Sequence, residues 1–362
     1  MSLVGLRREL EARGWDCPVM NLNENRRVPS PDYIDVQDGW DYFRKVWRHV
    51  KRGYAVHVRV NGDTKKGYLL ALTSLILARL LGRPALLTYC GGHRQNFFPA
   101  PKGSFRYLAF ALLFRVPSRI YCNSEPVKQA LLTTGIDSDR VLPIPHFSTQ
   151  YVQFNPAELP DRVKDFCART EGTLFLYICY RKEYMLEFLA EAMRRFRDKF
   201  PRIGFLLVGT SERELEPLGK FFKDHGLEEA AYITGSVSHD LFLTMLTRSL
   251  AYIRIPQTDG VCSSVLEALT LKVPVLGSDN GTRPKGVELW QADSIDSLLA
   301  RMIDAAEKHD AMVARIPSIA AEDNTRKLAD DVEAVCLRTS KSDSKGAAIS
   351  IQSPASERKS GV

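Results

Sequence analysis

The sequence lacks the cysteine and histidine patterns of disulfide-bonded and zinc-binding proteins. Its seven cysteines are scattered and odd in number, and no two of them form a CxxC pair. The seven histidines show no HExxH or similar ligand spacing. We therefore predict reduced thiols, as in a cytosolic protein, and no bound metal.

Long hydrophobic runs are also missing. The longest run that is uncharged, mostly apolar and free of proline spans Gly67 to Ala78, which is 12 residues, and a membrane-spanning helix needs about 20. Met1 is followed by an amphipathic segment with Arg7, Arg8 and Glu9, which is not the apolar core of a secretory leader. We expect a cytoplasmic protein, with peripheral attachment to the inner face of a membrane as an open alternative.

The net charge of +7 is unevenly distributed. Residues 1–150 contain 22 Lys and Arg against 12 Asp and Glu, whereas residues 151–338 contain 24 against 29. A basic half joined to a mildly acidic half indicates that the first half meets an anionic partner. The basic helices near 7–13 and 44–52 carry no nucleic-acid-binding motif, so we predict no nucleic acid.

Apolar segments of strand length alternate with amphipathic segments of helix length along the chain. Strands are predicted at 18–22, 55–60, 84–89, 119–122, 141–144, 173–179, 204–208, 231–234, 251–255 and 273–277. Helices are predicted at 3–13, 41–52, 65–81, 104–115, 125–134, 184–200, 212–225, 239–248, 262–271, 294–309 and 318–338. This alternation is typical of an α/β fold with parallel sheets and helices on both faces.

The alternation predicts two Rossmann-like domains that face a cleft, with ligands at the carboxyl ends of the strands. Residues 1–150 form the first domain and residues 151–317 the second, joined by a segment without periodicity that contains three prolines. A last helix over 318–338 precedes a tail, 339–362, that is rich in Ser, Lys and Gly and is predicted to be disordered.

The most informative segment runs from Asp259 to Glu267 and contains Gly260, Val261, Cys262, Ser263, Ser264 and Val265 between its two acids. Glu267 lies one turn inside a predicted helix and shares a face with Ser263. The first N–H groups of that helix offer a cradle for a phosphate, and a carboxylate inside the helix can accept hydrogen bonds from a ribose diol. An ordinary β-loop-α unit with surface acids is the alternative explanation of this segment.

Four segments together resemble the group 1 (family 4) glycosyltransferases, which are retaining enzymes of the GT-B fold. The segment 259–267 is similar to their E-x7-E element, with Asp in place of the first Glu. The other three similar segments are Ile120-Tyr121-Cys122-Asn123-Ser124-Glu125, Arg140-Val141-Leu142-Pro143-Ile144-Pro145 with Phe154-Asn155-Pro156, and Phe205-Leu206-Leu207-Val208-Gly209. The resemblance covers roughly residues 3–338.

The resemblance implies a role for each matching residue in binding a nucleotide-sugar donor. Asp259 would contact hydroxyls of the donor sugar, and Glu267 would hold the ribose diol. Residues 260–265 would bind the diphosphate, and the loops at Gly209 and Val237 would lie beside the nucleotide. The leaving diphosphate itself would assist attack on the same face of the sugar, so that catalysis rests on orientation and charge stabilisation.

The sequence departs from the family pattern at several places. Cys179 and Tyr184 stand where the family has an Arg and a Lys, and we expect Arg181 and Lys182 of the same loop to supply the positive charge. A loop with Gly91 and Gly92 replaces a His-Gly pair that contacts the sugar, and His93 is the candidate substitute. The first strand and its glycine-rich loop do not precede Leu3, so the first domain either starts upstream or lacks that strand.

The predicted function is transfer of a sugar from a nucleotide-diphosphate sugar to a glycan or a lipid-linked anionic acceptor, without a cofactor or a metal. Asn61, Lys65, Gly91 and Gly92 are candidates for the acceptor site, because they follow strands of the basic domain. A stretch over 102–115 that is basic at both ends and apolar between them is a candidate for contact with an anionic bilayer, or else a buried helix. A catalytically degenerate GT-B binding or scaffold protein is the alternative function.

Overall fold

The computed structural model describes residues 3–22, 26–27, 31, 33–61, 65–92, 103–258, 261–320 and 322–342. Packing divides the chain into two units. The first unit comprises Met1–Ser148 and Asp323–Val362, and the second comprises Thr149–Glu322. The chain therefore leaves the first unit once and returns to it for its last helix.

The first unit is built on a parallel sheet of four strands in the order β1-β2-β3-β4. Its elements before the crossing to the second unit are α1 (Leu3–Glu11), α2 (Gly39–Lys51), β1 (Val56–Val60), α3 (Lys65–Leu80), β2 (Ala85–Tyr89), α4 (Phe105–Arg115), β3 (Arg119–Cys122), α5 (Glu125–Leu132) and β4 (Val141–Pro143). Because each strand pairs with the next along the chain, right-handed crossovers place α3, α4 and α5 on one face of the sheet.

The second unit contains a parallel sheet of six strands in the order β10-β9-β8-β5-β6-β7. Its elements are α6 (Asp161–Ala168), β5 (Gly172–Tyr177), α7 (Leu186–Lys199), β6 (Ile203–Val208), α8 (Glu212–Asp224), β7 (Ala231–Gly235), α9 (His239–Thr247), β8 (Ala251–Arg254), α10 (Ser263–Thr270), β9 (Val275–Ser278), β10 (Val287–Trp290), α11 (Ile295–Glu307) and α12 (His309–Arg315). The chain then enters α13 (Asn324–Ser342), which belongs to the first unit.

Both faces of the first sheet are covered by helices. Leu87 and Tyr89 of β2 join a core with Phe110 and Phe114 of α4. On the other face, β2 and β3 pack against α1 and α13 through a cluster that contains Leu6, Leu10, Leu86, Tyr121, Leu328, Ala329 and Val332. Since successive residues of a strand point to opposite faces, the apolar run of β2 supplies both cores.

Both faces of the second sheet are buried as well. Leu174 and Leu176 of β5 join a core with helices α7, α8 and α11. Phe175, which lies between them, joins a separate core with residues of α9 and α10. This two-sided burial explains why four of the six strands, β5, β6, β8 and β9, are nearly continuous apolar runs in the sequence. The α/β fold predicted from the sequence, with two domains built on parallel sheets, is confirmed.

Some predicted boundaries are wrong. The segment 18–22 forms a single bridge, Met20 to Ile34, rather than a strand; Pro18 has no backbone N–H to donate to a ladder. Three elements were not predicted: β10, whose four residues include a charged Glu, and the short helices α6 and α12. The last helix begins at Asn324 instead of residue 318. No helix within the described ranges combines the length and the apolar character that crossing a bilayer requires.

Candidate active site of the second unit

The strand order of the second unit reverses between β5 and β8. From β5 the chain builds outward through β6 to β7, and it then returns to the other side of β5 with β8, β9 and β10. In open α/β sheets of this kind, ligands bind at the carboxyl ends of the two strands where the order reverses. The segments that leave this edge are the loop after β5, the loop after β8, and the start of α10 that follows it.

The start of α10 follows β8, one of the two strands where the order reverses. Cys262 is the N-cap residue, and α10 begins at Ser263. The N–H group of Val265 donates to the carbonyl of Cys262 at 3.2 Å. In any α-helix the first N–H groups have no carbonyl one turn earlier within the helix itself. Their dipoles make this end of the helix favourable for negative charge.

Side chains anchor this helix start to the sheet. The hydroxyl of Ser264 lies 2.8 Å from the hydroxyl of Tyr252 on β8 and 3.1 Å from the sulfur of Cys262. Val265 is fully buried in the core. Ser264 and Val265 therefore fix the position of the helix start, and what they offer to a ligand is backbone rather than side chain.

Glu267 lies one turn inside α10, is largely buried, and is paired with His239. The two side chains approach to 3.1 Å between Nε2 and Oε1, and His239 is the first residue of α9. The hydrogen bond to Glu267 raises the pKa of His239 above its ordinary value. The carboxylate is thus held in one orientation, with its second oxygen available to accept further hydrogen bonds.

A buried cation, Arg254, ends β8. The Arg254 side chain lies beside the rings of Tyr177 and Tyr184, with its guanidinium carbon 5.6 Å and 5.8 Å from the two ring centroids. Only 7% of Arg254 is exposed. Because aromatic faces attract a guanidinium, this arrangement offsets part of the cost of burying the charge. A positive charge is thereby held at the edge where β5 and β8 end.

The loop after β5 brings the other expected cations to the surface. Arg181 and Lys182 are both exposed. Cys179 is buried and its thiol donates to the carbonyl of Gly209 at 3.8 Å; burial raises the pKa of Cys179, which keeps the thiol neutral. The loop ends at Met185, whose φ of 46° is in the left-handed region that costs a non-glycine residue about 1 kcal/mol or more.

Gly209 and Val237 border the same edge on the β6 and β7 side. Gly209 follows β6 with φ of 93°, and a Cβ at this position would overlap the ring of Tyr177. Its N–H group donates to the carbonyl of Gly235 at 3.0 Å. Val237 lies in the next loop and packs partly against the core. Gly209 therefore lies against Tyr177 at the end of β5, and the role of Gly209 and Val237 beside the nucleotide stays a prediction.

The candidate acceptor residues lie in the first unit, at the carboxyl edge of its own sheet. Asn61 follows β1, and Gly91 and Gly92 follow β2. A Cβ on Gly91 would lie 2.5 Å from the hydroxyl of Tyr89 and 2.6 Å from the carbonyl oxygen of Asn61, so glycine permits this close backbone approach. Lys65 is exposed in the first turn of α3.

Three predicted site residues, Asp259, Gly260 and His93, lie outside the described residues, as does the tail after residue 342. Within the described part of the chain, no group of three or more His, Cys, Asp or Glu side chains is arranged to hold a metal ion.

Sequence reasoning missed two residues of this site. Arg254 was counted with an apolar strand, although a charged residue within the run Ala251-Tyr252-Ile253-Arg254-Ile255 is itself a signal, because an unpaired charge is seldom buried. His239 gave no signal, since its partner Glu267 is 28 residues away in the chain. Only the packing of α9 beside α10 brings the two together.

Comparison with known proteins supports the same fold. Residues 169–328 match the sequence model of the family described as glycosyl transferases group 1. No curated protein is similar enough in sequence to count as a relative. Among solved structures, a glycosyltransferase from Rickettsia africae ESF-5 is similar over 95% of this chain and 94% of its own, with 14% identity and a TM-score of 0.64.

Two further structures contain UDP. Anabaena Alr3699/HepE in complex with UDP and glucose is similar over 94% of each chain, with 14% identity and a TM-score of 0.63. S. aureus MnaA in a co-structure with UDP is similar over 92% of each chain, with 10% identity and a TM-score of 0.62. At these identities the likeness concerns the fold alone, which is α/β with parallel sheets in two units.

Proposed function

We propose that this chain is a glycosyltransferase that transfers a sugar, with retention, from a nucleotide-diphosphate sugar to a glycan or lipid-linked acceptor. The match of residues 169–328 to the glycosyl transferases group 1 supports this activity. UDP is the first nucleotide to test, since structures of the same fold from Anabaena and S. aureus contain it. The match of residues 169–328 to the family model supports the donor class, and retention and the acceptor are further parts of the proposal.

One observation carries the proposal: the helix α10 starts at the reversal point of the second sheet, with Glu267 one turn inside it. A diphosphate at the start of α10 would accept hydrogen bonds from the first N–H groups of the helix. The ribose would then lie beside Glu267, whose carboxylate His239 orients. Phosphate and ribose are the two parts that every nucleotide-sugar donor shares, which is why this arrangement favours a donor of that class.

The proposed mechanism rests on charge stabilisation of the leaving diphosphate. As the bond between the sugar and the diphosphate breaks, negative charge increases on the phosphate oxygens, and preorganised dipoles and cations lower the energy of that state. In this chain the amide groups of α10 and the guanidinium of Arg254 would supply the stabilisation, with Arg181 and Lys182 as exposed additions. The acceptor hydroxyl would attack on the face that the diphosphate leaves and pass its proton to the diphosphate.

Asp259 remains the residue proposed to contact hydroxyls of the donor sugar, together with Gly260 in the same loop. His93 remains the candidate contact from the first unit. Neither assignment needs a metal ion or a cofactor, and the proposal includes none.

The acceptor is proposed to bind at the carboxyl edge of the first sheet, near Asn61, Lys65, Gly91 and Gly92. Residues 1–150 contain ten more basic than acidic residues, which favours a phosphate-bearing or otherwise acidic acceptor. We also propose that the protein works in the cytoplasm and contacts the inner face of a membrane, where lipid-linked acceptors are found.

Two substitutions test the donor site. Glu267→Gln keeps the shape of the side chain and removes its charge, so calorimetry should show a roughly 10- to 100-fold weaker affinity for UDP, since a charge-assisted hydrogen bond contributes about 1.5–3 kcal/mol. Asp259→Asn should abolish transfer, measured as release of UDP from a panel of UDP-sugars, and leave UDP binding intact. Glu288→Gln, at a half-buried carboxylate that pairs with Arg315, serves as a control for loss of one carboxylate elsewhere in the unit.

The same measurements separate the enzyme from a degenerate binding protein. Cys179 and Tyr184 replace the cations that the family has in this loop, which is the observation that favours the second function. A wild-type protein that binds no UDP or GDP, or that binds UDP but neither transfers nor slowly hydrolyses any donor of the panel, would contradict the proposed transfer and favour a scaffold role.

A further inference from the structure

The outer surface of the first unit carries an unusual concentration of exposed apolar side chains. Of the eleven large apolar side chains that are exposed within the described residues, seven lie on α2, α3 and α4; they are Trp40, Trp47, Leu69, Leu80, Phe105, Leu108 and Leu112. Single exposed apolar residues are ordinary, whereas a contiguous group marks an interaction surface. The three helices are neighbours, since α2 packs on α3 and α3 packs on α4.

An aromatic ladder runs along α2. Trp40, Phe43 and Trp47 recur at intervals of three and four residues, which places them on one face of the helix. Their rings stack in sequence, with centroids 5.7 Å and 6.3 Å apart. The ammonium group of Lys51 lies 5.5 Å from the centroid of the Trp47 ring, at the end of the ladder. An adjacent face of α2 buries Tyr42, Val46 and Val50. Phe43 packs partly against this core, whereas Trp40 and Trp47 remain exposed.

The helices α3 and α4 are apolar on both sides, and one side of each is exposed. In α4, Phe105, Leu108 and Leu112 form an outward stripe at the same helical spacing, while Phe110 and Phe114 face the core. Phe105 is 84% exposed and Leu80 of α3 is 78% exposed. A helix that is apolar all round is ordinarily buried on all sides or in contact with lipid.

Basic residues surround these stripes. The helices α2, α3 and α4 together contain nine Lys and Arg and one Asp. Arg44, Arg48 and Lys51 flank the ladder, Lys65 and Lys66 begin α3, and Arg115 ends α4; all of these side chains are exposed. Tryptophan and basic residues around an apolar centre are typical of helices that lie in the interface of an anionic bilayer.

We propose that the exposed faces of α2, α3 and α4, here called the α2–α4 surface, dock the protein on an anionic lipid bilayer. Trp40, Trp47 and Phe105 enter the headgroup region, and the basic rim binds lipid phosphates. This inference deepens the membrane contact of the proposed function, and it moves the site from the 102–115 segment alone to three adjacent helices. The occupant is a lipid surface, because the apolar stripes and the positive rim together match its apolar interior and its anionic headgroups.

Vesicle binding by the full-length chain tests the docking. We expect sedimentation with vesicles of phosphatidylcholine containing about a third phosphatidylglycerol, and much weaker sedimentation with phosphatidylcholine alone. Raising the salt concentration from about 0.1 M to about 0.5 M should weaken binding several-fold, because the basic rim is screened. Brominated lipid should quench the fluorescence of Trp40 and Trp47 and leave that of the buried Trp290 unchanged.

Matched double variants test whether the α2–α4 surface is the part of the protein that binds lipid. Trp40→Ser with Trp47→Ser should lower partitioning onto anionic vesicles at least about tenfold. The control is Leu289→Ser with Leu337→Ser, which removes two side chains that are 43% and 41% exposed, close to the 39% of Trp47, but lie outside the α2–α4 surface. This control should bind vesicles as the wild type does. Equal thermal unfolding temperatures of both variants and the wild type establish that the fold is kept.

Three outcomes would overturn the inference. The first is wild-type protein that does not sediment with anionic vesicles, and the second is a Trp40 and Trp47 variant that binds them as well as the control does. The third is binding of a single-stranded polynucleotide that is weakened in the Trp40 and Trp47 variant and that anionic vesicles do not displace. Slow hydrolysis of UDP-sugar should be equal in all variants, so that failure of docking is distinguishable from failure of the proposed transfer.

Discussion

At the scale of single residues, Gly209 is the most constrained backbone position of the candidate site. Its φ is positive and its Cα faces the ring of Tyr177. Gly209→Ala therefore forces both a left-handed alanine and an overlap with the ring, and we expect the free energy of unfolding to fall by about 2–4 kcal/mol. Chemical denaturation followed by circular dichroism measures this change.

Gly219→Ala is the control for that substitution, with the opposite expected sign. Gly219 lies inside α8, and nothing lies within 4 Å of a Cβ at that position. Alanine favours a helix interior over glycine by about 1 kcal/mol, so the variant should be slightly more stable than the wild type. Similar losses in both variants would refute the steric argument at Gly209.

The His239 and Glu267 pair adds a pH-dependent contribution to stability. Because the pKa of His239 is raised in the folded state, the stabilisation is fully present below pH 6.5 and is lost as the pH rises through the folded pKa. His239 is half exposed, so we expect less than about 1 kcal/mol. His239→Gln should reduce the difference between the denaturation midpoints at pH 6 and pH 8.5. An unchanged difference would show that the pair contributes nothing to stability.

Residues of the site differ in how well the sequence alone could predict them. Ser263 and Glu267 are four residues apart, so local helical geometry was enough to place them on one face. Arg254 required knowledge of Tyr177 and Tyr184, which lie some 70 residues earlier in the chain. Long-range packing decides such partners, and no periodicity encodes it.

At the scale of elements, α13 is held to the first sheet by a partly buried ionic contact. Asp331 accepts two hydrogen bonds from Arg119, at 2.7 Å and 2.8 Å, and a third from the hydroxyl of Tyr121 at 2.9 Å. Asp331→Asn leaves the guanidinium without its counter-charge, and we expect a loss of about 2 kcal/mol in the free energy of unfolding.

The neighbouring Asp330 provides the matched control for Asp331. Asp330 pairs with Arg13 at 2.7 Å, but more than half of its side chain is exposed. Asp330→Asn should therefore cost less than about 1 kcal/mol in the same denaturation experiment. If the two variants lose equal stability, burial is not what gives the Asp331 contact its strength.

The sequence predicted strands correctly where the whole strand is buried. Strands β2 and β6 are buried along their whole length, so their apolar runs identify them directly. The edge strand β10 contains the charged Glu288 among apolar residues, so its sequence resembles that of a loop. The segment 18–22 failed for the converse reason, since its apolar residues pair at one position only.

At the scale of the whole molecule, the two units should respond differently to acid. Burial lowers the pKa of His57 to about 4 and that of His146 to about 3, and both histidines belong to the first unit. Hydrogen bonds raise the pKa of His225 and His239 in the second unit. Since the unfolded state binds more protons at His57 and His146, the first unit loses stability as the pH falls below 6.5.

Hydrogen exchange with mass spectrometry measures this asymmetry. At pH 5 each of the two buried histidines should cost about 2 kcal/mol, so β1–β4 should lose protection before β5–β10 once rates are corrected for intrinsic exchange. His57→Gln should restore about half of the lost protection. Equal loss in both units would contradict the assignment to these histidines.

The sequence by itself determined the fold class, two α/β units, together with the acid-bearing helix that follows β8 and the resemblance to the group 1 glycosyltransferases. These properties depend on local periodicity and on short motifs, which are written in neighbouring residues. Only the tertiary structure decided which charge is buried at the reversal of the second sheet, which histidine orients Glu267, and which helical faces of the first unit remain exposed. Each of these depends on contacts between residues far apart in the chain, whose pairing is set when the cores pack.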